Sequence, residues 1–197
     1  SFASQTYLTL ACYHYAELTG NLHALSMAKE CTRRLIELQG PQGEWPWFYD
    51  APQGRVLDFY EVYSVHQYGM APAFLECAER HDVRGARDAL VTGFKWVLGQ
   101  NQLHKSMLVP GLQMSFRSQI REGELHTNKR RAFRAMANAI ARRDQRLIDP
   151  ARIGLRLECR SYELGWILWS FGRRSDLIEL THDNAFVDAA RETSVAS

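Results

Sequence analysis

Asn21 to Gln39 reads NLHALSMAKECTRRLIELQ, and Asp82 to Gln100, 61 positions on, reads DVRGARDALVTGFKWVLGQ. The offset sets Leu22, Ala28 and Gln39 on Val83, Ala89 and Gln100, and the capping residue Asn21 on Asp82. Apolar residues at helical spacing, with Lys29, Glu30, Arg33 and Arg34 between them, predict an outer, partly wetted helix over 22–38 and a second over 83–98. Each is preceded by a sparsely charged segment. Leu8, Ala11, Cys12, Tyr15 and Leu18 predict a helix over 5–18, closed by Gly20. Val62, Tyr63, Val65, Tyr68, Met70, Ala73 and Phe74 predict another over 60–79, which Pro72 should kink. A unit that cannot bury its own apolar stripe must stack on its neighbours.

The remaining chain extends the pattern less regularly. Residues 100–127, with Pro110, Gly111 and Gly123, predict a long loop containing one short element. Phe133, Met136, Ala137 and Ile140 predict a helix over 128–146, ending before Asp149 and Pro150. Tyr162, Leu164, Trp166, Leu168 and Trp169 predict an inner helix over 161–171, followed by a short helical piece over 184–191. The expected fold is therefore all-α: one domain over residues 1–197, built from about three antiparallel helical hairpins. Three hairpins suffice for a solenoid. A closed ring needs more, which points to the rest of a larger toroid or to a second subunit.

Composition excludes more than it selects. The 197 residues are 46% hydrophobic and 23% charged with a formal net charge of +2, ordinary values for a soluble globular domain. No apolar run approaches the roughly 20 residues of a membrane-spanning helix, and no signal-peptide pattern is visible. Cys12, Cys31, Cys77 and Cys159 form no close pair, which argues against a disulfide framework or a structural zinc site and favours a reducing, cytoplasmic setting. No dinucleotide or P-loop motif occurs, so neither cofactor nor metal is expected. Lys129, Arg130, Arg131, Arg134, Arg142, Arg143 and Arg146 make a basic stretch. A solvated outer helix accounts for it, and nucleic acid is a disfavoured partner.

The densest local feature is Gln39 to Asp50, with Trp45, Trp47, Phe48 and Tyr49 behind two turn-forming glycines. Trp45 and Trp47 either plug the gap between hairpins or offer flat faces to a sugar ring; Tyr49 and Asp50 begin the exit from the cluster. Gln39, Gly43 and Trp45 fit the Gln-x3-Gly-x-Trp core of terpene cyclases of the squalene–hopene type, with Leu35 at the apolar position upstream. In that family the motif ties hairpins together. The resemblance thus implies an α/α toroid and no catalytic role, and the family's Asp-rich acid motif is missing. The Gly-x-Trp loop before an acidic segment also resembles six-hairpin carbohydrate-active domains, which implies a carbohydrate ligand.

Asp58, Glu61, His66 and Gln67 with Tyr63 form the first candidate site. Tyr63, His66 and Gln67 share one face at i, i+3 and i, i+4 spacing. Asp58 reads equally as a helix N-cap and Glu61 as a favourable first-turn charge, and His66 as a satisfied core residue or a proton carrier. The last hairpin adds Glu158, Arg160, Tyr162 and Glu163, with Arg156 or Arg160 as the expected partner if Glu163 is buried. The expected catalytic candidates are His66, Glu61, Asp50, Asp58 and Glu163; Trp45, Trp47, Tyr49, Tyr63, Gln67, Tyr162 and Arg160 would bind substrate. A sugar-polymer domain using acid/base chemistry is the first functional reading. A noncatalytic interaction scaffold is the second, and a terpene-cyclase-like domain the third.

Overall fold

The computed structural model describes residues 1–50, 52–124, 128–144, 152–184 and 187. Among them are seven α-helices and seven short strands. Helix α1 (Phe2–Thr19) ends where Gly20 turns left-handed, φ 70°. Helix α2 (Leu22–Leu38) starts on Asn21, whose Oδ1 accepts from the Ala24 N–H at 2.9 Å. The two-residue connection folds α2 back along α1. Thr9–Cys31 (2.9 Å) and Tyr13–Thr32 (3.0 Å) hydrogen bonds lie across the pair.

The segment after α2 is not a bare loop. Strands β1 (Phe48–Asp50) and β2 (Arg55–Asp58) form an antiparallel hairpin. Strand β3 (Val62–Tyr63) follows, then a π-helical turn, His66–Met70, and helix α3 (Ala71–Arg80). The expected kink at Pro72 takes this form. A proline has no N–H to give to the carbonyl four residues back and its ring crowds that carbonyl. The wider turn just ahead of it, closed by the Ala71 N–H on the His66 carbonyl, accommodates it. Helix α4 (Ala86–Val97) starts later than the repeat predicts, because Asp82 (φ 57°) and Gly85 (φ 82°) both take left-handed conformations; Asp82 is no cap.

Residues 100–127 also hold more structure than one short element. They contain β4 (Leu108–Val109), a 3-10 turn (Pro110–Leu112), β5 (Met114–Ser115) and β6 (Ser118–Arg121). Strand β6 is the centre of a three-stranded antiparallel sheet, with β3 on one side and β7 (Ile153–Arg156) on the other. Helices α5 (Asn128–Ile140), α6 (Tyr162–Phe171) and α7 (Ile178–Thr181) complete the order. Helix α5 stops at Ile140, short of the expected end at 146, with residues 141–144 non-helical; residues 145–146 and most of the 184–191 piece lie outside the described residues.

The all-α expectation is therefore corrected. The chain is a mixture of helices with three small antiparallel sheets, and a run of helical hairpins or a partial α/α toroid does not describe it. The core lies between α1, α3, α4 and the aromatic segment, with Phe2, Trp45, Phe74, Leu90 and Trp96 all buried. Gln39 and Gly43 join the segment to α4. The Gln39 Nε2 donates to the Gly43 carbonyl (2.8 Å) and the Ala89 carbonyl (2.9 Å), and Gly43 (φ 93°) lies directly on the backbone of Thr92. Gly69 makes room for α6: a Cβ there would meet Trp166 at 2.8 Å.

Candidate functional site

The register of the central sheet assembles a polar interior. Tyr63 lies opposite Ser118, and Ser118 opposite Arg156, so the three side chains stand in a row on one face. Glu61, one residue before β3, extends its carboxylate into that row. It accepts from the Tyr63 hydroxyl (3.0 Å), the Ser118 hydroxyl and Arg131 Nη1 of α5 (2.6 Å), and pairs with Arg156 Nη1 (3.3 Å). Glu61 is fully buried and Arg131 only 3% exposed. A carboxylate so far from water survives because two guanidinium groups and two hydroxyls replace its hydration. Burial, then the negative charge of Glu61, push the Tyr63 hydroxyl above its ordinary value, so it stays protonated at neutral pH.

Asp58, at the end of β2, meets Arg121 Nη1 (2.7 Å) and Arg134 Nη1 (3.5 Å) and caps no helix. Burial is the largest influence on its carboxyl and raises it against the pull of Arg121. Arg134 also holds Glu124. Asp50 pairs with its cross-strand neighbour Arg55. Glu163 is buried, but on a hydroxyl rather than an arginine: Ser115 Oγ donates to Oε2 at 2.8 Å and lies 3.2 Å from the Tyr68 hydroxyl. Of the two expected partners, Arg156 turns to Glu61 and Arg160 to Glu158.

The aromatic segment divides. Trp45 is buried against Phe2 (centroids 5.2 Å) and Phe74 (6.1 Å), as a peg in the core. Trp47 stays half-buried, 5.0 Å from the Tyr63 ring and under the Arg131 guanidinium (5.7 Å). Tyr49 lies apart from the Glu61 row. It lines a hollow of about 440 Å³ with Gln5, Cys31 and Leu38; its hydroxyl has no hydrogen-bond partner among the described residues, and burial holds it well above the ordinary value. His66 is enclosed by Phe2 (4.7 Å), Tyr63 (5.1 Å) and Trp47 (6.3 Å) and is 4% exposed. Its Nδ1 has no hydrogen-bond partner among the described residues, and burial pushes the ring down to about 3. Burial thus favours the neutral imidazole. The Gln67 amide, oriented to suit its neighbours, donates to the Gly43 carbonyl (3.0 Å) and accepts from the Trp45 N–H (3.3 Å). It secures the aromatic segment from beneath.

The Glu61 row opens outward at Arg117. Its guanidinium stacks on the Tyr63 ring (5.4 Å) and gives a hydrogen bond to Glu158 Oε1 (3.0 Å). Arg160 reaches the same oxygen through Nε (2.9 Å) and Nη2 (2.8 Å). Tyr162, half-exposed, begins α6 two residues after Arg160. Burial opposes the charge on Arg117, but nearby Glu158 and Tyr63 help to raise its value. Tyr63, Arg160 and Tyr162 are thus brought together, joined by Arg117, Ser118, Arg131 and Glu158, which pattern reading did not select. The strand register puts Ser118 and Arg156 in reach of Glu61 and α5 brings Arg131, and strands of two to four residues leave a faint alternation to detect. Among the described residues no three His, Cys, Asp or Glu side chains converge as metal ligands, and no helix is long and apolar enough to cross a membrane. No protein family, curated protein or solved structure matches this chain significantly.

Proposed function

We propose that the chain binds a carboxylated sugar polymer at the shelf formed by Tyr63, Arg117, Glu158, Arg160 and Tyr162. One observation carries this reading: the Glu158 carboxylate sits between two guanidinium groups, Arg117 and Arg160, beside aromatic rings. A uronate carboxylate has the same charge and shape, so it takes Glu158's place, while the sugar ring lies on the half-exposed ring of Tyr162. His66 and Asp58, one sealed and the other engaged by two arginines, take no part. The four free thiols support a cytoplasmic setting for this binding.

The test is a calorimetric comparison of polyuronates with neutral glucans, alongside an assay for reducing ends and unsaturated products. Polyuronates should bind and glucans should not. Arg160→Ala should weaken binding about tenfold, the loss of one charge-assisted hydrogen-bonded pair, whereas Glu158→Gln should tighten it by removing the internal competitor. Equal binding of charged and neutral polymers, or an Arg160→Ala variant that binds like the parent, defeats the proposal. A noncatalytic interaction scaffold is the second reading, favoured by exposed Tyr7, Leu8, Tyr15 and Leu18 on α1 and Leu168 and Trp169 on α6. Silence across the whole panel would leave it in place.

A further inference from the structure

Helix α5 is packed inside out. An amphipathic helix on a folded domain normally buries its apolar stripe and wets its polar face. Here the polar face is turned inward. Arg131 pairs with Glu61, Arg134 with Glu124 and Asp58, and Asn138 Nδ2 donates to the Leu57 carbonyl at 2.8 Å; Ala135 is buried between them. At 100° per residue the opposite face carries Phe133, Met136, Ala137 and Ile140. Phe133 is 68%, Met136 55% and Ile140 78% exposed. The ion pairs beneath hold the helix in this orientation, so the stripe cannot roll into the core without leaving Glu61 and Arg131 buried apart.

Charge surrounds the stripe in a consistent sign. The helix contains no Asp or Glu, and exposed Lys129 and Arg130 flank its first turn. Exposed Arg142 and Arg143 follow its last. Lys129, Arg130, Phe133, Ala137 and Arg143 line one shallow, open hollow. The nearby acids are Glu122, Glu124 and Asp144. Glu124 is engaged by Arg134, and Asp144 accepts from the Val56 N–H at 3.2 Å. Among the described residues, Glu122 and Asp144 are exposed carboxylates beside the helix, against the four exposed cations Lys129, Arg130, Arg142 and Arg143.

We infer that this face of α5 docks on an anionic lipid surface. Three large apolar side chains on a helix that carries no acid of its own, with cations at both of its ends, match the boundary between acyl chains and phosphate groups. A second copy meeting through the same face would bring two sets of Lys129, Arg130, Arg142 and Arg143 together, and like charges oppose that contact. The cytoplasmic leaflet supplies negative lipid headgroups in the setting proposed above. The contact is peripheral, and is independent of the sugar shelf.

The experiment is cosedimentation of the full chain with vesicles of phosphatidylcholine alone and with phosphatidylglycerol added. The protein should pellet with the anionic vesicles, stay in the supernatant with the neutral ones, and be released by salt. Phe133→Asp/Ile140→Asp and, separately, Arg142→Glu/Arg143→Glu should each lower vesicle binding about tenfold or more. Both pairs are exposed, so helical circular dichroism should be unchanged; if the first pair disturbs it, the second decides. Absence of pelleting with anionic vesicles overturns the inference, as does undiminished pelleting of the arginine variant. A concentration-dependent dimer or a bound acidic protein, abolished by the Phe133/Ile140 variant in the absence of vesicle binding, would assign the face to that partner instead.

Discussion

His66 stood out in the sequence as a histidine in an apolar stretch and Glu61 read as a first-turn charge, and the neighbours of each decide its state. His66 is neutral because three aromatic rings exclude water from it, and that has a consequence for stability. Its folded value lies near 3 against an ordinary 6.5. The unfolded chain therefore binds a proton below pH 6.5 that the folded chain refuses, and the stability present above 6.5 is lost as pH falls towards 3. Between pH 6 and pH 5, His66 should contribute a slope of about 1.4 kcal/mol per pH unit, fully developed below the unfolded value. Urea unfolding of the parent and of His66→Phe at the two pH values should show that difference between them; parallel behaviour would mean that solvent reaches the ring. Glu61→Gln poses the opposite problem. It leaves Arg131 and Arg156 facing a neutral amide in the interior, which should cost roughly 3–5 kcal/mol in the urea midpoint. Glu158→Gln, at the surface, should leave that midpoint unmoved.

At the level of segments, the resemblance carried by Gln-x3-Gly-x-Trp implied a tie between helical units; Gln39 and Gly43 join the aromatic segment to α4, while Trp45 packs on Phe2 and Phe74. Gln39→Ala deprives the Gly43 and Ala89 carbonyls of a donor, and should destabilise by about 1–3 kcal/mol. Gly43→Ala should be worse, since its Cβ would run into the Thr92 backbone, which cannot move aside, and its left-handed φ disfavours any side chain. Thermal unfolding of the two variants should rank them in that order. The helices at 2–19, 22–38 and 162–171 match their sequence spacing closely because a helix satisfies its own backbone hydrogen bonds and its period is local. Strands β1 and β2 left a readable trace, Pro52-Gln53-Gly54 between short alternating runs. Strand β7 left almost none: Ile153-Gly154-Leu155-Arg156 becomes a strand because β6 is beside it.

For the molecule as a whole, β6 is the element that changes the fold class. It lies between β3 and β7, more than 30 residues away in either direction, and both pairings must form before Glu61 has its partners. Hydrogen exchange should find the amides of Ser118 to Arg121 protected to a degree comparable with the core of α3, as a central strand requires. Exchange on the timescale of an open loop would dissolve the sheet and the site with it. The same pairing explains the inversion of α5, whose arginines serve the carboxylates that the sheet gathers.

Periodicity and local backbone chemistry determined where the main helices lie, where Gly20 and Asn21 separate α1 from α2, and that Pro72 disturbs its helix. These follow from contacts within a few residues, or from backbone chemistry belonging to one residue type. The sheets, the enclosure of His66, the choice of Ser115 over an arginine for Glu163, and the outward face of α5 depend on partners brought from distant positions. A buried charge takes whichever counter-group the strand register delivers, and a helix with one polar and one apolar face turns toward whichever partner is stronger. For α5 that partner is a pair of buried carboxylates, which no pattern in residues 128–140 reveals.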